Sequence, residues 1–306
     1  LLFYTEKVFP DLAAGLCIAL AFFLLYRLRT DRESRSRSTA LCLGLVTGGL
    51  LWMHSKFWLH TAILLSCFAA TMCSRRMTGR RLYAWLALAA PFLASLVWIS
   101  AYHHRLFGVP LPLSTHPGFS LKSAFLRGWP GLWFDRDNGL LFYAPAAVLL
   151  FPAVGLLRRR KDTFGLWLIA MILAHWLGVG LFSDWRGGKC PPMRYWVAVA
   201  ALFSYPCAAV ISAIRARWMR ALCLAGICSG PVIAILGRRH VSRLYRYLHP
   251  VFHQWPVLGY SKWAPRYDGQ HPVHTLLGTV AGLVAVALVC FVLSRMMFPA
   301  GKRERE

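Results

Sequence analysis

Residues 182–197 read FSDWRGGKCPPMRYWV, which gathers Asp184, Arg186, Lys189 and Arg194 between two apolar runs. Three cations and one carboxylate in so short a stretch suit an anionic ligand, above all a phosphate, which a guanidinium grips in bidentate fashion. Gly187 and Gly188 let the backbone approach a ligand closely, and Pro191 and Pro192 stiffen the path that follows. Arg194 is the most telling cation, because it stands where the chain re-enters an apolar block, with Tyr195 next to it. The same residues also suit an interfacial anchor, with snorkelling Arg and belt aromatics Trp185, Tyr195 and Trp196.

Other stretches offer chemistry at similar places. LWFDRDNGLLFYAP (132–145) sets Asp135 and Asp137 just before an apolar block. Carboxylates there cap a helix N-terminus, or else bind a metal or a substrate hydroxyl. YTEK (4–7) carries Glu6; Pro10 and Asp11 already account for the helix start that follows, which leaves Glu6 for another role. WMHSKF (52–57) puts His54 and Lys56 at a hairpin tip, and His103, His104 and Arg105 end a further span. Each of these sets either touches ligand or is simply solvated. His175 lies inside an apolar block, where an ionisable group either serves function or hydrogen-bonds a neighbouring helix. Residues 120–133 carry Leu121, Phe125, Leu126, Trp129 and Leu132 at near-helical spacing, as in a helix lying in the membrane interface.

The elements that must position these residues are membrane helices. Of 306 residues, 58% are hydrophobic and only 15% charged, with a mean hydropathy of +0.50. Soluble domains carry about 25% charge. The apolar residues fall in blocks near the ~20 residues that a helix needs to cross the hydrocarbon. The pattern predicts an all-α, polytopic helical bundle forming a single transmembrane domain. About nine spans can be drawn, over 9–28, 40–53, 57–73, 82–101, 140–157, 164–182, 195–214, 221–236 and 273–296. External loops over 102–139, 183–194 and 237–272 are expected to carry short helices.

A net charge of +24 raises nucleic acid as a partner, but its distribution excludes it. The basic residues stand in short clusters between apolar blocks, and no nucleic-acid module is visible. Dense clusters at 27–37, 75–81, 158–161, 215–220 and 302–305 mark the cytoplasmic side. The N-terminus of the chain is then outside and its C-terminus cytoplasmic, which puts every candidate residue on the outer face. All cysteines except Cys190 lie in or at the end of apolar blocks, and neither disulfide nor zinc spacing is evident. The chain opens on LLFYTEKVFPD, so no signal peptide is expected, and it reads as part of something longer.

Four places in order, YTE, WMHSKF, LWFDRDNGLLFYAP and DWRGGKCPPMRYW, make the chain resemble a bacterial polytopic glycosyltransferase of the C-type superfamily, distantly like the protein mannosyltransferases. The resemblance covers roughly residues 3–213. It implies a multi-pass protein of the bacterial cytoplasmic membrane that takes a polyprenyl-phosphate-linked sugar as donor. Members carry a catalytic acid in a large external loop after the first span; no such loop precedes Glu6. Lys189 and Cys190 stand where relatives show an aromatic and a small residue. The expected catalytic set is Glu6, Asp135 and Asp137. The expected substrate-binding set is Arg194, Arg186, Lys189, Asp184, Tyr195, His54, Lys56, His103 and Arg105. No metal site is assigned, although Asp135 and Asp137 leave room for a divalent cation; the acceptor is unspecified. The competing expectation is a transporter, flippase or scaffold subunit that handles anionic lipids.

Overall fold

A computed structural model describes residues 10–30, 36–74, 80–110, 121–135, 139–182, 194–238, 267 and 272–297. Among them the chain is helical and contains no strand. Six helical segments are long and apolar enough to cross a membrane: Pro10–Thr30, Ser55–Cys73, Leu82–Phe107, Thr163–Gly180, Tyr195–Ala213 and Thr275–Met297. The nine spans expected from the sequence are therefore six among the described residues; 40–53, 140–157 and 221–236 are not among the six. The segment 140–157 is broken: α6 (Leu140–Tyr143) stops at Ala144, whose φ of −141° and ψ of 71° leave the helix, and a 3-10 turn (Pro145–Leu149) precedes α7 (Leu150–Arg159). Pro145, which cannot donate to the preceding turn, accounts for the break. The segment 40–53 forms a shorter apolar helix.

The first helix, α1 (Pro10–Thr30), starts as the sequence dictates, with proline at its first position, Asp11 in its first turn, and Arg27 and Arg29 in its last. At 1.5 Å per residue it is about 32 Å long, enough for a bilayer core. Its buried face is Asp11, Ala14, Ile18, Ala21, Phe22, Leu25 and Leu28, a helical stripe that opens on a carboxylate. Next come α2 (Ser36–Met53), a 3-10 turn (Ser55–Phe57), α3 (Trp58–Ser74) and α4 (Arg80–Phe107). Residues 121–134 are helical, with a π turn at Ala124–Gly128 and α5 at Trp129–Phe134. Then follow α8 (Thr163–Gly180), a ten-residue 3-10 helix (Arg194–Phe203), α9 (Ser204–Ala213), α10 (Arg217–Arg238) and α11 (Pro272–Met297).

Two apolar cores hold these elements. The larger joins α1, α2, α3, α8 and the 3-10 helix through residues such as Ile18, Phe22, Leu64, Met171, Trp196 and Val199. The smaller joins α7, α8, α9 and the end of α11 through Leu156, Ile169, Val210 and Leu293. Glycines set the close approaches. A Cβ on Gly15 of α1 would stand 2.9 Å from the Val197 carbonyl, so α1 touches the 3-10 backbone directly. Gly44 and Gly48 do the same for α2 against Pro91 and Ser95 of α4, the small-residue packing expected in lipid, where no hydrophobic force drives helices together. Ser95 fills the seam, donating to the Gly48 carbonyl at 2.8 Å and accepting from the Trp52 indole at 2.8 Å.

Candidate functional site

A group of buried polar side chains meets at one end of the bundle, where α1, the 3-10 helix and α8 have their Asp11, Tyr195 and Gly180 termini. Asp11 is fully buried and Lys56 is 4% exposed, and Lys56 Nζ donates to Asp11 Oδ1 in an ion pair. The pair exists because of two local structures. α1 places Asp11 at the head of its buried face. His54, extended at φ −176°, caps the 3-10 turn by accepting from the Lys56 N–H at its Nδ1 (3.2 Å), which turns the Lys56 side chain inward. The ammonium also stands 4.6 Å over the Tyr195 ring and 5.0 Å over the Phe57 ring, where the aromatic faces add to its hold.

One turn deeper lies a pair of histidines. His60 on α3 and His175 on α8 are both buried, with His60 Nε2 2.9 Å from His175 Nδ1. His60 Nδ1 reaches the Lys56 carbonyl at 3.2 Å, and His175 Nε2 reaches the Tyr195 carbonyl at 2.5 Å. The rings lie edge-on to one another at 5.0 Å, and Phe57 and Trp196 flank them. This row ties three elements together: the turn with Lys56, α8, and the start of the 3-10 helix. A 3-10 run of ten residues is uncommon, and here its second residue, Tyr195, is fastened to the cluster by its carbonyl and its ring.

A second polar place lies across the tryptophans. The Trp196 indole donates to the Leu132 carbonyl at 3.1 Å and packs edge-on against Trp133 at 5.3 Å. The buried Asp135 follows at the end of α5, where its carbonyl accepts from the Gly139 N–H. A Cβ on Gly139 would stand 2.5 Å from that carbonyl oxygen. Tyr267 is buried nearby, hydrogen-bonded to Thr279 of α11; burial, with the Asp135 charge adding to it, pushes its phenol up to about 12.

Comparison with protein-family models, with curated proteins and with solved structures finds no match for this chain. The site therefore rests on its geometry.

Of the residues expected from sequence, the fold brings Lys56 and Tyr195 together, with His54 as the cap that turns Lys56 inward. Asp135 ends α5 as its C-terminal cap residue, and Gly139 is the residue at the start of α6. His103 and Arg105 remain on α4, which continues to Phe107, beyond the expected end of that span. Arg105 is exposed there, while His103 lies against Tyr102 and Phe107 with its Nδ1 buried and unbonded. α4 packs chiefly on α2, where Tyr102 meets the Trp52 ring at 6.0 Å. Glu6, Asp137, Asp184, Arg186 and Lys189 lie outside the described residues. For Arg194 the backbone is described, as the first residue of the 3-10 helix, and the side chain is not. Among the described residues no group of three or more His, Cys, Asp or Glu gathers as metal ligands would.

Two residues of the cluster were missed in the sequence. Asp11 reads as a helix-start signal and nothing more. His60 is an ionisable group inside a span, and that alone was the sign that should have flagged it.

Proposed function

We propose that this chain is a membrane glycosyltransferase, or most of one, that moves a sugar from a polyprenyl-phosphate donor to an acceptor at the outer face of the bacterial cytoplasmic membrane. In full it has about nine spans, with 40–53, 140–157 and 221–236 added to the six long apolar helices. Its N-terminal end is outside and its C-terminal end cytoplasmic. A carboxylate, Glu6 or Asp137, takes the proton of the acceptor hydroxyl, whose oxygen then attacks the anomeric carbon. The bond to the phosphate breaks, and cations take up the charge of the leaving group. Arg194 is the principal cation, with Lys56, Arg186 and Lys189 beside it. Asp184, Tyr195 and His54 shape the pocket, Asp135 braces the neighbouring loop, and His103 and Arg105 extend the outer surface.

The observation that carries this reading is the meeting of Lys56 with Tyr195, the residue next to Arg194, with 4.6 Å between ammonium and ring. Residues far apart in sequence, each singled out for anion binding, come to one end of the bundle. That end also carries Phe182 and Arg194, the two residues that flank the 183–193 stretch. A second reading, an anionic-lipid transporter, draws on the same buried Asp11, Lys56, His60 and His175, since charged groups within spans also mark transport paths.

Turnover of a polyprenyl-phosphate sugar by the chain in lipid nanodiscs tests the first reading. Arg194→Ala is expected to weaken polyprenyl-phosphate binding by roughly 10- to 150-fold, the worth of one charge-assisted contact. Arg194→Lys should restore it only in part, because an ammonium cannot make the bidentate grip. Wild-type binding and turnover in both variants would overturn the phosphate role. Movement of the lipid across vesicles with its sugar intact would favour the transporter.

A further inference from the structure

We propose that the His60–His175 pair is a proton-binding site, holding one proton beyond two neutral imidazoles as a shared imidazole–imidazolium pair. The count follows from the acceptors at its two ends. A neutral imidazole has one N–H and one bare nitrogen, whereas an imidazolium has two N–H groups. The row of contacts runs from the Lys56 carbonyl to His60 Nδ1 at 3.2 Å, from His60 Nε2 to His175 Nδ1 at 2.9 Å, and from His175 Nε2 to the Tyr195 carbonyl at 2.5 Å.

A carbonyl oxygen only accepts. Both outer contacts therefore take an N–H, one from each ring. Two neutral rings would then have no proton left for the inner contact, and would set two bare nitrogens lone pair to lone pair at 2.9 Å. A third proton between the rings completes all three hydrogen bonds and makes the pair a single cation.

The charged and titratable groups at the pair are Lys56 of the turn, whose ammonium opposes the added charge and is itself offset by its partner Asp11 of α1, and Tyr195 of the 3-10 helix, with His54 capping the turn. Asp11 and Lys56 offset each other, so the proton leaves the cluster with one net positive charge. Hydrogen bonds from an imidazolium to carbonyls are charge-assisted and about twice as strong as neutral ones. His60 is five residues beyond Ser55, about 8 Å below the start of its span, which keeps the proton near the bundle end rather than at its middle. Where the glycosyl-transfer reading holds, this charge also helps retain the phosphate beside Arg194, but the proton count does not depend on that reading.

The test is nitrogen NMR of the full chain, labelled with 15N at histidine and held in lipid nanodiscs at neutral pH. The pair identifies itself by the correlation between two rings in direct contact, so no variant has to fold. The expected result is three protonated nitrogens and one bare nitrogen across the two rings. Two bare nitrogens at neutral pH would overturn the proposal, whatever the chain does to sugars. A pH titration gives a second reading: when the second bare nitrogen appears, one of the three contacts should break. Loss of the proton with all three contacts intact would also sink it.

Discussion

The two ends of α8 solve the same problem by different means. At its start, Asp162 caps the helix by accepting from the Gly165 N–H at 3.0 Å, and its other oxygen accepts from the Tyr205 hydroxyl at 2.6 Å. Tyr205 is exposed, and nearby Arg29 lies 5.9 Å over the Trp167 ring. The side chains there, Asp162, Tyr205, Arg29 and Trp167, are half-buried or exposed. Near its other end, His175 is buried between His60 and a carbonyl, with the Lys56–Asp11 pair beyond. The first arrangement replaces contacts that solvent or lipid headgroups would supply, so losing it costs little. The second lies where nothing else can satisfy a charge, so each partner depends on the others. Shallow caps serve stability alone, whereas buried charge is retained at a penalty that stability does not require.

The comparison breaks most visibly at Lys56. Lys56→Met leaves Asp11 buried without its ammonium and should cost about 3–5 kcal/mol of stability, read as a lower melting temperature in detergent. Adding Asp11→Leu should recover most of that loss, since an apolar pair of similar volume packs as well. If Lys56 serves the phosphate, turnover stays lost in the double variant. Recovery of both stability and turnover would reduce the buried pair to a structural device.

Glycines sharpen the contrast along the same helix. A Cβ on Gly180 would stand 2.1 Å from the Trp129 ring, which is fixed by its indole hydrogen bond to the Leu177 carbonyl at 3.0 Å. A Cβ on Gly165 would meet the ends of Leu157 and Tyr205 at 2.9–3.0 Å, a far milder approach than the one at Gly180. Gly180→Ala should therefore cost about 1–3 kcal/mol. Gly165→Ala should be close to neutral, because the gain in helix propensity of about 1 kcal/mol offsets a small repacking. Equal losses at the two positions, measured by thermal unfolding, would remove the distinction between the ends.

At the shallow end, Asp162→Ala should cost about 1 kcal/mol, the usual worth of a cap, and leave turnover unchanged. The smallest effect belongs to Tyr267, whose phenol titrates from an ordinary 10.0 up to about 12 through burial. Its sign is that of an acid held neutral by folding. Between pH 10 and 12 the unfolded chain has lost the proton that the folded chain keeps, so stability falls as pH rises through that window. Tyr267→Phe should flatten that slope above pH 10 and, at neutral pH, cost only the hydrogen bond to Thr279.

Much of this was legible in the residues. Pro10, Asp11, Arg27 and Arg29 bound the first helix, the hairpin at 54–56 was readable from WMHSKF, and the six long apolar helices fall on expected spans. What the residues could not show was which face of each span is buried. In water a buried stripe stands out against polar neighbours; in lipid it does not, because the outside of the bundle is as apolar as its core. In α1, Leu16, Leu20 and Phe23 are exposed while Ile18, Phe22 and Leu25 are buried, and nothing in their types separates the two sets. Asp11 was hidden for the same reason, since its place at the head of the buried face becomes visible only once that face is known.

Composition and charge clustering by themselves determined that the chain is helical, with runs long and apolar enough to cross a membrane and basic clusters between them. Both are local matters, since a backbone in lipid must satisfy its own hydrogen bonds and basic residues stay near the polar interface. Tertiary structure alone decided that Asp11, Lys56, His60, His175 and Tyr195 are neighbours, and that Asp135 belongs with Tyr267. Those meetings depend on how helices rotate and how closely Gly15, Gly128 and Gly180 let their backbones approach. Such packing is settled by shape between segments far apart in sequence, and no single segment carries it.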